Sequence, residues 1–217
     1  LMSKEEGAWY SGVSAGTPES VRVIEDGAVR TVVEAVLRFN SSFLCMRYLL
    51  PKKGTEIQVD VRVNWNEKRK MLKLSIPTLI EAPKYLGQTA YGIDELANDG
   101  DEVVSQKWSG LFSEKDATAL TLINDGIHGS DSSDGEIRLS LLRSPGYCGH
   151  PIYERTIMPQ DRHSPHIDLG ERLYSFWLNA GNKDERLKHI DREALVKNEK
   201  PFALSFFPSG AGIEPKP

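Results

Sequence analysis

The residues best equipped for chemistry crowd into one stretch, Asn124-Asp125-Gly126-Ile127-His128-Gly129-Ser130-Asp131. Amides, carboxylates and imidazoles that donate and accept in pairs are the groups that recognise sugar hydroxyls. The two glycines let backbone come close to a ligand. The same Asn-Asp-Gly run is also what a tight turn with left-handed residues requires. Asn124, Asp125 and His128 are therefore the candidate substrate-binding residues, with a plain turn as the alternative. Arg143, at the end of the next apolar run, is expected to pair with Asp131 or Asp134.

Other reactive side chains carry less. Asp161, His163, His166 and Asp168 have the types and number of a four-ligand metal site. Pro165 imposes extended backbone, however, and Asp168-Leu169-Gly170 has the composition of a turn feeding a strand, so this group is read as structural. Cys148 and His150 lie two apart, but a catalytic thiol needs an activating environment, and none is visible around them. No catalytic residue and no metal ligand is assigned. Trp9 and Tyr10, in a Gly/Ser-rich opening segment, can stack on a sugar or pack on a neighbouring domain.

The elements that must position these groups are mostly strands. Ile57, Val59, Val61, Val63 and Trp65 alternate with Gln58, Asp60, Arg62 and Asn64, the period of a half-buried strand with one wet face. That phase puts Trp65 in the core. Leu72, Leu74 and Ile76 continue after the polar Asn66–Arg69 turn, so the two runs read as a hairpin ended by Pro77. Further strands are expected at 29–37, 43–50, 101–108, 117–123, 136–143 and 172–178, the fourth of them apolar on both faces and so central. One segment departs from period two. Leu187, Ile190, Ala194 and Leu195 fall at helical spacing within 183–198, with Asn182 or Asp184 as cap and Lys200-Pro201 as stop. Many antiparallel strands with one late helix predict an all-β chain, a large antiparallel β-sandwich of two facing sheets.

Composition bounds the partners. Of 217 residues 27 are Lys or Arg and 31 Asp or Glu, well mixed, so there is no basic patch to hold nucleic acid. No apolar run is long enough to span a membrane, and no signal peptide opens the chain. The two cysteines, Cys45 and Cys148, are read as reduced thiols of a cytoplasmic protein, with a Cys45–Cys148 disulfide as the lesser alternative. Leu1-Met2 and Ile213–Pro217 look like cut ends. Residues 1–20 read as a linker leading into one sandwich over 21–217.

Two stretches go beyond class-level pattern: Asn64–Pro77, and Leu120–Asp131 continuing through Gly135–Pro145. With Gln106-Lys107-Trp108, Asp168-Leu-Gly-Glu171 and Phe176-Trp-Leu178, they occur in the order found in the C-terminal β region of family 38 α-mannosidases. The chain resembles that region from about Val21 to Pro208, and the bacterial and cytosolic-type members most. The resemblance implies a sandwich like the galactose-mutarotase supersandwich, preceded in the whole enzyme by an α/β barrel and a helical bundle. It implies retaining hydrolysis of terminal α-mannosides through a carboxylate nucleophile, with a barrel-bound zinc ion that orients and polarises sugar hydroxyls. No stretch here matches the family's zinc motif or nucleophile segment. No cofactor is expected in this piece, which is expected to be inactive alone. Its partners would be the parent barrel and, in the whole enzyme, the α-mannoside. A loop of this region approaches the barrel's sugar pocket in the family, which gives Asn124, Asp125 and His128 their role. Unpaired edges and the apolar Phe202–Phe207 run predict self-association, or an added strand of the same sandwich. An independent carbohydrate-binding module ranks second, because aromatic residues are only 8% of the chain and the tryptophans lie in strand-like contexts. A self-sufficient mutarotase-like enzyme would need a His and a Glu as acid and base on one concave face.

Overall fold

The strand patterns close into two sheets in a computed structural model, which describes residues 21–146 and 165–207. In chain order come β1 (Val21–Asp26), β2 (Arg30–Phe39), β3 (Ser42–Pro51), β4 (Ile57–Trp65), β5 (Met71–Pro77), β6 (Pro83–Thr89) and β7 (Gly92–Glu95). β8 (Val103–Val104), β9 (Trp108–Ser113), β10 (Thr118–Asn124), β11 (Gly129–Ser133), β12 (Glu136–Arg143) and β13 (Gly170–Asn182) follow, and then helix α1 (Lys183–Asn198). One sheet has nine strands in the order β1-β2-β3-β4-β13-β10-β9-β6-β7, and the other has four, β5-β12-β11-β8. All pairings are antiparallel.

Period two does the sorting. Val59, Val61, Val63 and Trp65 turn inward from β4, as expected, and meet Leu72, Ile137, Leu139 and Leu141 from the smaller sheet in the main core. Trp65 is 2% exposed, and its ring lies parallel to Phe39 at 6.3 Å between centroids. A second, smaller core sits on the other face of the large sheet, where Ile190 and Ala194 of α1 cover Trp108, Phe112, Ala119 and Ile123. The apolar, two-sided character of β10 follows from this double burial. Asn182 caps α1, its Oδ1 accepting from the backbone N–H groups of Asp184 (3.0 Å) and Glu185 (3.4 Å). Leu195, counted with the buried face from its spacing, is about half exposed.

Three expectations need correction. β4 and β5 are not a hairpin: β4 pairs with β3 and β13, whereas β5 pairs with β12 in the other sheet. The intervening 66–70 segment crosses between the sheets because its polar groups are fixed there. Glu67 is buried and accepts from Ser41 N (3.0 Å), Ser42 Oγ (3.0 Å) and Asn40 Nδ2 (3.2 Å). Trp65 Nε1 donates to Ser144 Oγ at 3.2 Å, and Ser144 also bonds the backbone of Glu67, Arg69 and Lys70. The 101–108 run is not one strand: only Val103–Val104 pairs, with β11, and the next strand begins at Trp108 in the other sheet. Finally, Phe202–Phe207 adds no strand to the sandwich; its aromatic and leucine side chains stand 83–87% exposed. β1, β6, β7, β9 beyond Trp108 and β11 were not legible as strands, β11 because its sequence, Gly-Ser-Asp-Ser-Ser, is that of a loop.

Candidate functional site

The register of β9, β10 and β6 sends Trp108, Asn124 and Thr89 to one end of the sandwich and Ser113, Thr118 and Pro83 to the other. The Asn124–Gly129 loop stands at the first end. It is braced from within by Asn124, which is 2% exposed. The Asn124 amide donates from Nδ2 to the Gln106 carbonyl (2.8 Å), and its Oδ1 accepts from the N–H groups of Gly126 (3.1 Å) and Ile127 (3.0 Å). Asn124 N donates to Lys107 O (3.0 Å), and Asn198 at the end of α1 donates to Asn124 O (3.1 Å). Gly126 sits at φ 84°, the left-handed conformation its lack of a Cβ permits. Ile127 packs against the main core and anchors the loop's far side.

Asp125 and His128 are left outside. His128 Nδ1 lies 3.2 Å from the Gln106 carbonyl. A carbonyl only accepts, so Nδ1 carries a proton in that contact. The three candidates are therefore together on one loop but unlike in exposure. Asn124 spends both ends of its amide on backbone and holds the loop. Asp125 and His128 present a carboxylate and an imidazole to solvent.

Beside the loop, the chain turns inward into β11. Ser130 Oγ lies 2.7 Å from Tyr85 Oη, which also donates to Ser109 Oγ at 3.0 Å. Burial raises the Tyr85 phenol above its ordinary pKa and keeps it neutral. Asp131 points the other way, onto the outer face of the small sheet, where Lys73 and Arg138 both bind its nearly buried carboxylate. Arg143, the expected partner, does not reach it: Arg138 faces Asp131 directly across the β11–β12 pairing, whereas Arg143 lies opposite Met71 at the far end of β12. Lys73 also reaches Glu102, which accepts from Ser140. Burial works to lower the Lys73 pKa, but the two carboxylates outweigh it and hold the ammonium above its usual value. This ionic row escaped the sequence because its members lie on four segments, brought together only by register.

At the opposite end, an open depression of about 660 Å³ is lined by Thr78, Ile80, Glu81, Asn98, Lys115 and Asp134 among others. The expected Asp161/His163/His166/Asp168 group is only half described: Asp161 and His163 lie outside the described residues, as do Trp9, Tyr10, Cys148 and His150. His166 sits in an isolated bridge to Gly146, and Asp168 is in a turn at φ 57° leading into β13. Among the described residues no three His, Cys, Asp or Glu side chains converge as metal ligands. No described helix is long and apolar enough to cross a membrane.

With this geometry in view, comparison with known proteins is informative. The profile of the glycosyl hydrolases family 38 C-terminal domain matches residues 5–160. Alpha-mannosidase G of Dictyostelium discoideum is 30% identical over 137 residues, 57% of this chain and 12% of its own. Two structures from Enterococcus faecalis share the fold. A protein in glycosyl hydrolase family 38 has a TM-score of 0.65 at 15% identity, with 80% of this chain and 24% of that one covered. An alpha-mannosidase has a TM-score of 0.63 at 13% identity, with 80% and 23% covered. The chain thus spans at most 24% of the length of these relatives.

Proposed function

The chain belongs to the family 38 glycosyl hydrolase C-terminal domains, and from that premise we propose that it is the non-catalytic β portion of a zinc-dependent, retaining α-mannosidase acting on terminal α-mannosides. In this reading the zinc and the nucleophile lie in the parent's catalytic barrel, which the sandwich buttresses. The zinc would orient sugar hydroxyls there. This chain's own contribution is the loop after β10: Asn124 sets its shape, and Asp125 and His128 reach toward the sugar. The observation that supports it is an outward carboxylate and imidazole on a loop tied to three elements: the Gln106–Lys107 segment, the end of α1 and the core. A loop so held can position polar groups without ordering them at each binding event.

The chain alone should not turn over an aryl α-mannoside with zinc supplied; hydrolysis above a heat-inactivated control overturns the fragment reading. In the full-length enzyme, Asp125→Ala and His128→Ala should each lower kcat/KM about tenfold, the size of one lost hydrogen bond. Unchanged kinetics for both remove the loop from the site. We place the protein in the cytosol as a reduced-thiol protein; the Cys45 thiol is pushed up by burial and by Glu34 beside it, which keeps it unreactive. The exposed Phe202–Phe207 tail is the segment through which separate copies would associate. Light scattering that finds the same mass with and without residues 201–217 would discard that association.

A further inference from the structure

Tyr91 is the most exposed large hydrophobic side chain of the described residues, at 109%. It occupies the second position of the two-residue Ala90-Tyr91 turn that joins β6 to β7, where Thr89 pairs with Gly92. Its φ is 69°, a left-handed conformation that Gly or Asn adopts at far less cost than an aromatic residue. A tyrosine here strains the backbone and gains no packing in return, so nothing in the fold accounts for it.

Its position does. Thr89 leaves β6 at the same end of the sandwich as Asn124 leaves β10. One strand, β9, separates the two, which puts the loops two strand spacings apart, about 10 Å. The turn and the loop are joined through one segment: Gln106 N donates to Gln88 O (2.7 Å), Gln88 Oε1 accepts from Lys107 N (3.2 Å), and Gln106 O accepts from Asn124 and lies against His128 Nδ1. Gln88 is fixed in addition by Asp191 of α1 at 3.1 Å. A flat aromatic ring, a carboxylate and an imidazole thus stand on adjacent, mutually braced loops.

We infer that Tyr91 is a third ligand-binding residue, the apolar platform of a pyranoside subsite whose polar side is Asp125 and His128. An aromatic ring takes the C–H face of a pyranose, while the carboxylate and the imidazole hydrogen-bond its hydroxyls. The inference rests on the loop role proposed above and adds to it the residue that would give the sugar its orientation. It also explains why an energetically poor residue holds a turn position suited to glycine.

The test uses the 217-residue chain, with methyl α-mannoside as probe, followed by amide NMR shifts in the wild type and in Tyr91→Gly, Tyr91→Phe and Asp125→Ala. Support requires that Tyr91 and residues 125–128 shift together on one saturation curve. Tyr91→Phe should keep the affinity, and Tyr91→Gly should weaken it about fivefold or more, as expected for a lost stacking surface. Tyr91→Gly should also melt at a higher temperature than wild type, because glycine relieves the left-handed strain. That combination of firmer fold and weaker binding separates a ligand role from a structural one. Shifts confined to 125–128 with Tyr91→Gly binding normally overturn the inference and leave the loop role standing. Absence of any shift at saturating sugar also overturns it, while the loop role is still decided by the full-length kinetics.

Discussion

Along the outer face of the nine-stranded sheet, the half made by β9, β10 and the end of β13 lies under α1, whereas no described helix covers the more open half made by β2, β3 and β4. The outward residues of the covered half are Trp108, Phe112, Ala119 and Ile123, all buried. Those of the other half mix apolar side chains, Val32, Val36, Cys45 and Leu49, with a polar network: Glu34 bonds Arg22 and Arg47, Arg62 bonds Glu171, and Asp60 bonds Ser175 and Gln58. The inner faces of both halves are alike in their apolar alternation. What distinguishes a strand with one layer above it from a strand with two is therefore the off-phase residues, which a search for alternation discards as background. Even polar anchors of α1 obey this division: Arg186 is buried against Thr121 and Glu193, and Asp191 accepts from Trp108 Nε1 at 2.7 Å.

The comparison can be tested from the shared layer outward. Trp65→Ala removes the largest side chain beneath the open half and should cost ~3–5 kcal/mol by denaturant titration. An unchanged melting temperature would mean the inner phase is misassigned. Ile190→Ala strips the helix of its central contact and should cost about 2–4 kcal/mol. A loss well below that range would make α1 an ornament and the two halves equivalent. A subtler difference is expected in acid. Arg22 and then Arg47 hold the Glu34 carboxyl at about 2 against an ordinary value of 4.5. A carboxyl depressed in the folded state stabilises it above pH 4.5 and loses that contribution as pH falls toward 2. Melting temperature followed over this interval should fall less steeply in Glu34→Gln than in wild type; parallel curves would show that the ion pairs of the open half are inert. Smallest of all, Leu173→Ala, on a side chain 73% exposed in the open half, should stay within about 0.5 kcal/mol. A larger loss would reveal a covering layer there too.

Much of the architecture was legible from local pattern. β4, β12 and α1 have the limits read from their periodicity, and the central place of β10 follows from apolar residues on both faces. What pattern could not supply was pairing. β4 and β5 look like a hairpin because they are adjacent, similar in phase and joined by a polar turn; only the buried Glu67 and the Trp65–Ser144 hydrogen bond reveal a crossing. β11 was hidden because its inner face carries Ser130, which bonds Tyr85 Oη at 2.7 Å, and Ser132 in place of apolar bulk. At the loop, residue types singled out the segment, but the difference between Asn124, turned inward, and Asp125 and His128, turned outward, depends on where Gln106 O lies, which sequence pattern does not show. Tyr91 gave no signal at all in the sequence, since its peculiarity is a backbone angle.

The position of β13 between β4 and β10 has a consequence for how the molecule is made. Before residues 170–182 leave the ribosome, the large sheet exists only as two separate leaves, one of four strands ending in β4 and one of four ending in β10. Each leaf bears a raw edge, and Trp65 must wait for Gly170 to arrive. Contacts closed over so long a chain interval give a high contact order and slow assembly. The period of risk is synthesis itself, when two unjoined leaves can find strands of other chains before their own last strand has been translated.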